Sequence, residues 1–120
     1  DIKSANIFLF RNSDVSTRQA DGGNLYQAKL GDMNVSKVTN QNGLNYTQTG
    51  TPYYASPEVW KDEPYGYKSD IWSLGCVIYE MLSLKPPFSG RDMDHLYKRV
   101  CKGVFPRIPD HYSNDIWAIV

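Results

Sequence analysis

The first six residues, Asp1-Ile2-Lys3-Ser4-Ala5-Asn6, place a carboxylate, an ammonium and a carboxamide close together, and a further carboxylate, Asp32, follows later. These groups suit phosphoryl transfer. A carboxylate accepts the proton of an attacking hydroxyl, a cation faces the transferring phosphoryl group, and two hard oxygen donors hold Mg2+. By itself the pattern D-x-K-x-x-N describes a polar turn equally well, so its meaning depends on the elements that position it.

Ile7 to Phe10 reads as a short strand and Leu25 to Leu30 as a second with partial alternation. Together they predict a hairpin with Asn6 just before it and Asp32 just after it. Arg11 to Asn24 between them is polar, carries Gly22 and Gly23, and has no hydrophobic face, so it is expected to be a solvated connection. From Gly31 to Glu58 aliphatic residues are few and Thr, Asn, Gln, Gly and Tyr are many. This predicts an extended, irregular segment lying on a surface, and segments of that length are usually functional or disordered. Ser56-Pro57-Glu58 then opens a short helix, with Ser56 as cap, Pro57 at the first helical position and Glu58 facing the positive end of the dipole.

Ser69 to Leu84, SDIWSLGCVIYEMLSL, organises the rest. Ile71, Trp72, Leu74, Val77, Ile78, Met81 and Leu82 are too dense for a single stripe, which predicts a central helix buried nearly all round. Asp70 near its start is expected to cap the helix or face its dipole, or to accept backbone N–H bonds from a neighbouring loop. Lys85-Pro86-Pro87-Phe88 ends the helix, since neither proline can donate into it. Met93, Leu96, Tyr97 and Val100 fall at i, i+3, i+4 and i+7, so Asp92 to Lys102 reads as an amphipathic helix ended by Gly103. Ser113 could cap a last helix containing Ile116 and Trp117. The expected fold class is α+β, mainly α: a small β-hairpin beside a helical body built on a buried central helix.

With 41% hydrophobic and 22% charged residues the 120-residue chain suits one globular unit. Formal net charge is zero and no basic cluster occurs, so neither nucleic acid nor an anionic membrane is indicated as a partner. There is no apolar run of membrane-spanning length. Cys76 and Cys101 have neither metal-ligand nor Cys-x-x-Cys spacing and read as reduced packing residues.

Taken in order, the blocks resemble the protein kinases. Asp1 to Asn6 looks like the catalytic loop, Gly31-Asp32-Met33-Asn34 like the metal-binding opening of the activation segment, and Gly50-Thr51-Pro52-Tyr53-Tyr54-Ala55-Ser56-Pro57-Glu58 like its close. Ser69 to Leu84 resembles the buried helix of the large, C-terminal lobe, whose aspartate, here Asp70, braces the catalytic loop. Lys3 and the Gly50-Thr51 pair are similar to serine/threonine rather than tyrosine kinases. GTPYYASPE, MDHLYKRVCKG followed by VFPRIP, and HYSNDI look most like the NIMA-related (NEK) kinases.

The resemblance implies ATP and a Ser- or Thr-bearing protein as substrates, with Mg2+ as cofactor. It implies Asp1 as general base, Lys3 on the transferring phosphate, Asn6 and Asp32 on magnesium, and Thr51 bridging Asp1 and Lys3. Residues 1–120 would be a partial kinase domain, with the activation segment at 32–58 within it. A cytoplasmic protein associated with cytoskeleton or cilium is the expected setting.

Departures accompany the likeness. The family triplet Asp-Phe-Gly is Asp32-Met33-Asn34 here, Ser56 replaces the usual Ala, and Arg11 to Asn24 is longer than that hairpin loop usually is. Methionine fills an apolar slot adaptably, and Asn is the most forgiving non-glycine residue where φ is positive. No glycine-rich loop or strand lysine precedes Asp1, so the chain is expected to be a fragment without its N-terminal lobe, and Glu58 is expected to lack an arginine partner. The alternatives are a pseudokinase or scaffold lobe that serves as an interaction module, and a truncated product without function.

Thr47, three residues before Gly50, occupies the position where NEK kinases resemble one another in carrying an activating phosphosite. A phosphate there adds about −1.5 to −2 charge and orders a loop only if cations are in reach, Lys37 being the candidate in this chain. In the full-length protein Thr47→Ala should lower kinase activity strongly and Thr49→Ala much less. Equal activity of Thr47→Ala and wild type, with mass spectrometry finding no phosphate on Thr47, would remove Thr47 from the switch.

Overall fold

The computed structural model describes residues 2–11, 25–32 and 52–120. Strands β1 (Ile7–Arg11) and β2 (Tyr26–Leu30) pair antiparallel, with Ile7 opposite Leu30 and Arg11 opposite Tyr26. The expected hairpin is present, and Phe8, Leu9, Phe10, Tyr26 and Leu30 all remain exposed on it. The Lys29 ammonium lies 4.8 Å from the centre of the Phe10 ring, a diagonal cross-strand contact on one face.

Four helices follow: α1 (Pro57–Trp60), α2 (Tyr67–Ser83), α3 (Met93–Lys102) and α4 (Asn114–Trp117). Three-residue 3-10 turns at Ser4–Asn6 and Pro52–Tyr54 precede the strands and the helices respectively. Ser56 stands at the cap position of α1, but its hydroxyl makes no capping bond. Gly103 and Ser113 stand at the helix ends as expected, whereas Asp92, read as the first helical residue, is the N-cap of α3. Asp92 accepts the His95 N–H at 2.7 Å, Gly103 closes α3 in the left-handed region, and Ser113 Oγ accepts the Ile116 N–H at 3.3 Å.

Helix α2 corrects the sequence reading in three ways. It starts at Tyr67 behind Gly66, which offers no side-chain cap, so Asp70 lies inside the first turn, exposed, where its charge favours the dipole but caps nothing. It ends at Ser83 because Leu84 turns left-handed (φ 56°) and returns its N–H to the Glu80 carbonyl at 2.8 Å, before the prolines are reached. It is also not buried all round. Cys76, Val77 and Tyr79 are buried, whereas Ile71 is 59% and Met81 69% exposed, because the described elements cover only one side of the helix.

That covered side holds the core. Trp72 stacks on Phe88 with ring planes 6° apart, and Phe105 sets its edge against both Phe88 and Tyr79. Leu96 and Val100 dock α3 onto Phe88 and Cys76. The approach is close at Gly90, where a Cβ would stand 2.5 Å from the Leu96 backbone nitrogen, so only glycine fits without moving backbone. Cys76 is a packing residue as expected, but Cys101 is exposed on α3. No helix among the described residues is long and apolar enough to cross a membrane.

Two substitutions test this packing. Phe88, 2% exposed, is expected to lose about 3–5 kcal/mol of stability on Phe88→Ala. Leu84→Gly should instead stabilise by about 1 kcal/mol, because Leu84 is 85% exposed and its left-handed backbone is strained. Denaturant unfolding measures both, and a lower midpoint for Leu84→Gly would show that its cap is unstrained.

Candidate functional site

The open end of the hairpin gathers the polar residues picked out in the sequence. Lys3 is extended (φ −156°, ψ 158°) and leads into the turn Ser4–Asn6, which closes when the Asn6 N–H donates to the Lys3 carbonyl at 3.0 Å. Asn6 is 3% exposed. Its own carbonyl accepts the Gly31 N–H at 2.9 Å, one step beyond the Ile7–Leu30 pair, so Gly31 and then Asp32 are held beside Asn6. A Cβ at position 31 would lie 2.7 Å from the ring of the exposed Phe8, so a larger residue there would have to push that ring aside. Asp32 adopts a left-handed backbone (φ 54°), a conformation that Asp tolerates better than most residues and that is concentrated at functional sites.

The structure therefore brings together Lys3, Asn6 and Asp32. Asp1, Lys37, Thr47 and Thr51 lie outside the described residues, as do Met33 and Asn34. Asn6 and Asp32 are hard oxygen donors, and Mg2+ takes one or two such side chains together with waters and phosphate oxygens. Among the described residues no group of three His, Cys, Asp or Glu converges.

A second polar cluster was not foreseen. Tyr54 donates its hydroxyl proton to Glu80 Oε2 at 2.7 Å and lies 2.8 Å from Ser4 Oγ, while its carbonyl accepts the Ser73 hydroxyl at 2.8 Å. Burial and the Glu80 carboxylate push the Tyr54 hydroxyl above its usual range, against the lowering effect of the Ser4 bond. The available signal was Glu80 itself, a carboxylate deep in an otherwise greasy run. Asp70 drew attention instead, yet it is exposed and accepts no hydrogen bond among the described residues.

Glu58 accepts the Ser69 hydroxyl at 2.5 Å, tying α1 to the first turn of α2. Burial pushes the Glu58 carboxyl up, but the Ser69 hydroxyl and the Glu58 backbone N–H outweigh it and hold the group below the usual carboxylate range. Burial pushes the Cys76 thiol up to about 12, which keeps it protonated and unreactive. An apolar groove runs along α2 past Ile71, Trp72, Gly75, Phe105 and Val120 and shares no lining residue with the polar site.

A family model described as "Protein kinase domain" matches residues 1–118. The chain belongs to the protein kinase family. Similar kinases include "Serine/threonine-protein kinase Nek5" of Mus musculus, 42% identical, and "G2-specific protein kinase fin1" of Schizosaccharomyces pombe, 41% identical. "Serine/threonine-protein kinase Nek3" of Oryza sativa subsp. japonica is 41% identical. Each similarity covers 100% of this chain, and the chain spans 17%, 15% and 18% of those relatives. The NEK resemblance drawn from GTPYYASPE and the later segments is thereby met.

The Glu58–Ser69 bond generates a pH prediction. A carboxyl held below its ordinary value of 4.5 adds stability above that pH and loses it as pH falls through its folded value. Ser69→Ala leaves the burial and removes the largest opposing bond, so the Glu58 pKa should rise and the acid-side fall in stability should become shallower. Carboxyl NMR titration of both forms checks this, and an unmoved Glu58 resonance would show that Ser69 does not hold it.

Proposed function

We propose that these residues form the large, C-terminal lobe portion of a protein serine/threonine kinase domain, which transfers the terminal phosphoryl group of ATP to a Ser or Thr hydroxyl of a protein. The observation that carries the reading is the Gly31–Asn6 backbone bond, which holds the turn containing the buried Asn6 beside Asp32 at one end of the hairpin. The names of the similar NEK kinases support the same reaction class.

In this proposal residues 1–6 are the catalytic loop and 32–58 the activation segment. Asp1 accepts the proton of the substrate hydroxyl, Lys3 faces the transferring phosphate, and Thr51 bridges Asp1 and Lys3. Asn6 and Asp32 hold Mg2+, which when bound supplies charge neutralisation at the phosphate oxygens. Glu58, anchored on Ser69, holds the close of the segment against α2, and Asp70 sits at the end of α2 from which it would brace the catalytic loop. Thr47 with Lys37 forms the regulatory element.

Most of the catalytic power in such a reaction is positioning. The 120 residues contain no glycine-rich phosphate-covering loop, so acting alone they should transfer no phosphate. The competing reading, a pseudokinase or scaffold lobe, draws on Met33-Asn34 in place of Phe-Gly.

One assay set separates the two. With ATP, Mg2+ and a protein acceptor, the full-length protein should be active, Asp32→Ala should abolish that activity, and Asn34→Gly, which restores the family's glycine, should keep or raise it. Full activity of Asp32→Ala would show the metal site to be wrongly assigned, and turnover by the isolated 120-residue chain would refute its dependence on a second lobe.

A further inference from the structure

Tyr54 lies along two turns of α2, tied at its carbonyl to Ser73 and at its hydroxyl to Glu80. A carboxylate only accepts, so the phenol proton is committed to Glu80. The 2.8 Å contact between Ser4 and Tyr54 must then use the Ser4 proton. The bonds run one way, from Ser4 to Tyr54 to Glu80, and each polarises the next. Glu80 is the fixed end, because α2 is seated in the core by Cys76, Val77 and Tyr79 on neighbouring positions. Ser4 is the dependent end: it opens the turn Ser4–Asn6, directly after Lys3, and the Asn6 N–H closes that turn back onto Lys3. The turn thus has a side-chain tether to α2 that is separate from the Gly31 backbone clamp on its other side.

We infer that Tyr54, acting through Ser4 and Glu80, is a positioning residue for phosphoryl transfer that locks the turn carrying Lys3 and Asn6 onto α2. The inference rests on the kinase reading of Lys3 and Asn6 given above. Tyr54 also belongs to the 3-10 turn Pro52–Tyr54, at the close of the proposed activation segment, and the Trp60 indole N–H holds that turn at the Pro52 carbonyl at 3.2 Å. Docking of this turn on α2 and placement of Lys3 and Asn6 are therefore coupled: whatever orders residues 52–54 tightens the turn at 4–6, and the coupling acts in both directions. A displacement of about 1 Å at such a site costs on the order of 100-fold in rate.

Steady-state kinetics and thermal melts of the full-length protein test this. Tyr54→Phe keeps the ring and removes only the relay oxygen, and it should lower kcat by roughly 10-fold to 100-fold with little change in the KM for ATP. Ser4→Ala should act the same way, and the double variant should be no slower than the slower single one, because both break the same chain. Glu80→Gln keeps an acceptor oxygen and should recover part of the kcat that Glu80→Ala loses. A purely structural Tyr54 would lower the melting temperature and leave kcat per folded molecule unchanged. Wild-type kcat in Tyr54→Phe, or multiplicative losses in the double variant, overturns the inference while leaving the kinase reading intact. A wild-type protein that transfers no phosphate overturns the kinase reading, and the inference with it.

Discussion

Trp72 lies flat on Phe88, ring centres 5.5 Å apart, and most of the described helical body hangs from that contact. The left-handed turn at Leu84 ends α2, so the chain leaves the helix and Phe88 folds back onto its side. Phe88 in turn meets Phe105 edge-on, and Phe105 contacts Tyr79 and Trp117, which brings α4 to the same cluster. Aromatic pairs of this kind add stabilisation beyond the area they bury, and offset and edge-on geometries also fix orientation. The indole N–H of Trp72 is buried without a hydrogen-bond partner among the described residues.

The apolar contacts make α2 a rigid reference, and a row of polar groups on it then holds the segment at 52–60. Ser69 meets the Glu58 carboxylate, Ser73 meets the Tyr54 carbonyl, and Glu80 meets the Tyr54 hydroxyl. Ser69, Ser73, Cys76 and Glu80 follow i, i+4, i+7 and i+11 spacing, so they form one stripe of the helix. Half-buried hydrogen bonds of this kind are directional where apolar contacts are not, and losing one partner leaves a desolvated group behind. They suit a segment that must sit in one place rather than merely on one surface.

The two ends of the proposed site are positioned by different means. Asp32 is carried by backbone geometry, since the hairpin register and the Gly31–Asn6 bond place it whatever its side chain. The turn at Ser4–Asn6 is held partly by that bond and partly by the side-chain chain through Tyr54 to Glu80. The backbone arrangement is robust to substitution. The side-chain arrangement is more easily altered, because each link depends on one particular side chain.

The sequence by itself determined the elements with strong local signals: the hairpin, the proline-opened α1, the i, i+3, i+4, i+7 pattern of α3 with Asp92 and Gly103 at its ends, and the serine cap of α4. It also carried the ordered blocks that identify a kinase, because those blocks are residue types in series. Where it misled was α2. Ile71, Leu74 and Met81 made the helix look buried all round, yet those residues face outward, and the working face is the sparser stripe of Ser69, Ser73, Cys76 and Glu80. Local periodicity records how apolar a helix is on each face but not which neighbours arrive there, and the partners of that stripe, Ser4, Tyr54 and Glu58, are brought to it only by the tertiary fold. The same limit explains Asp70 and Glu80: both are single carboxylates in one helix, and only long-range contact decides that Glu80 is bound and Asp70 exposed.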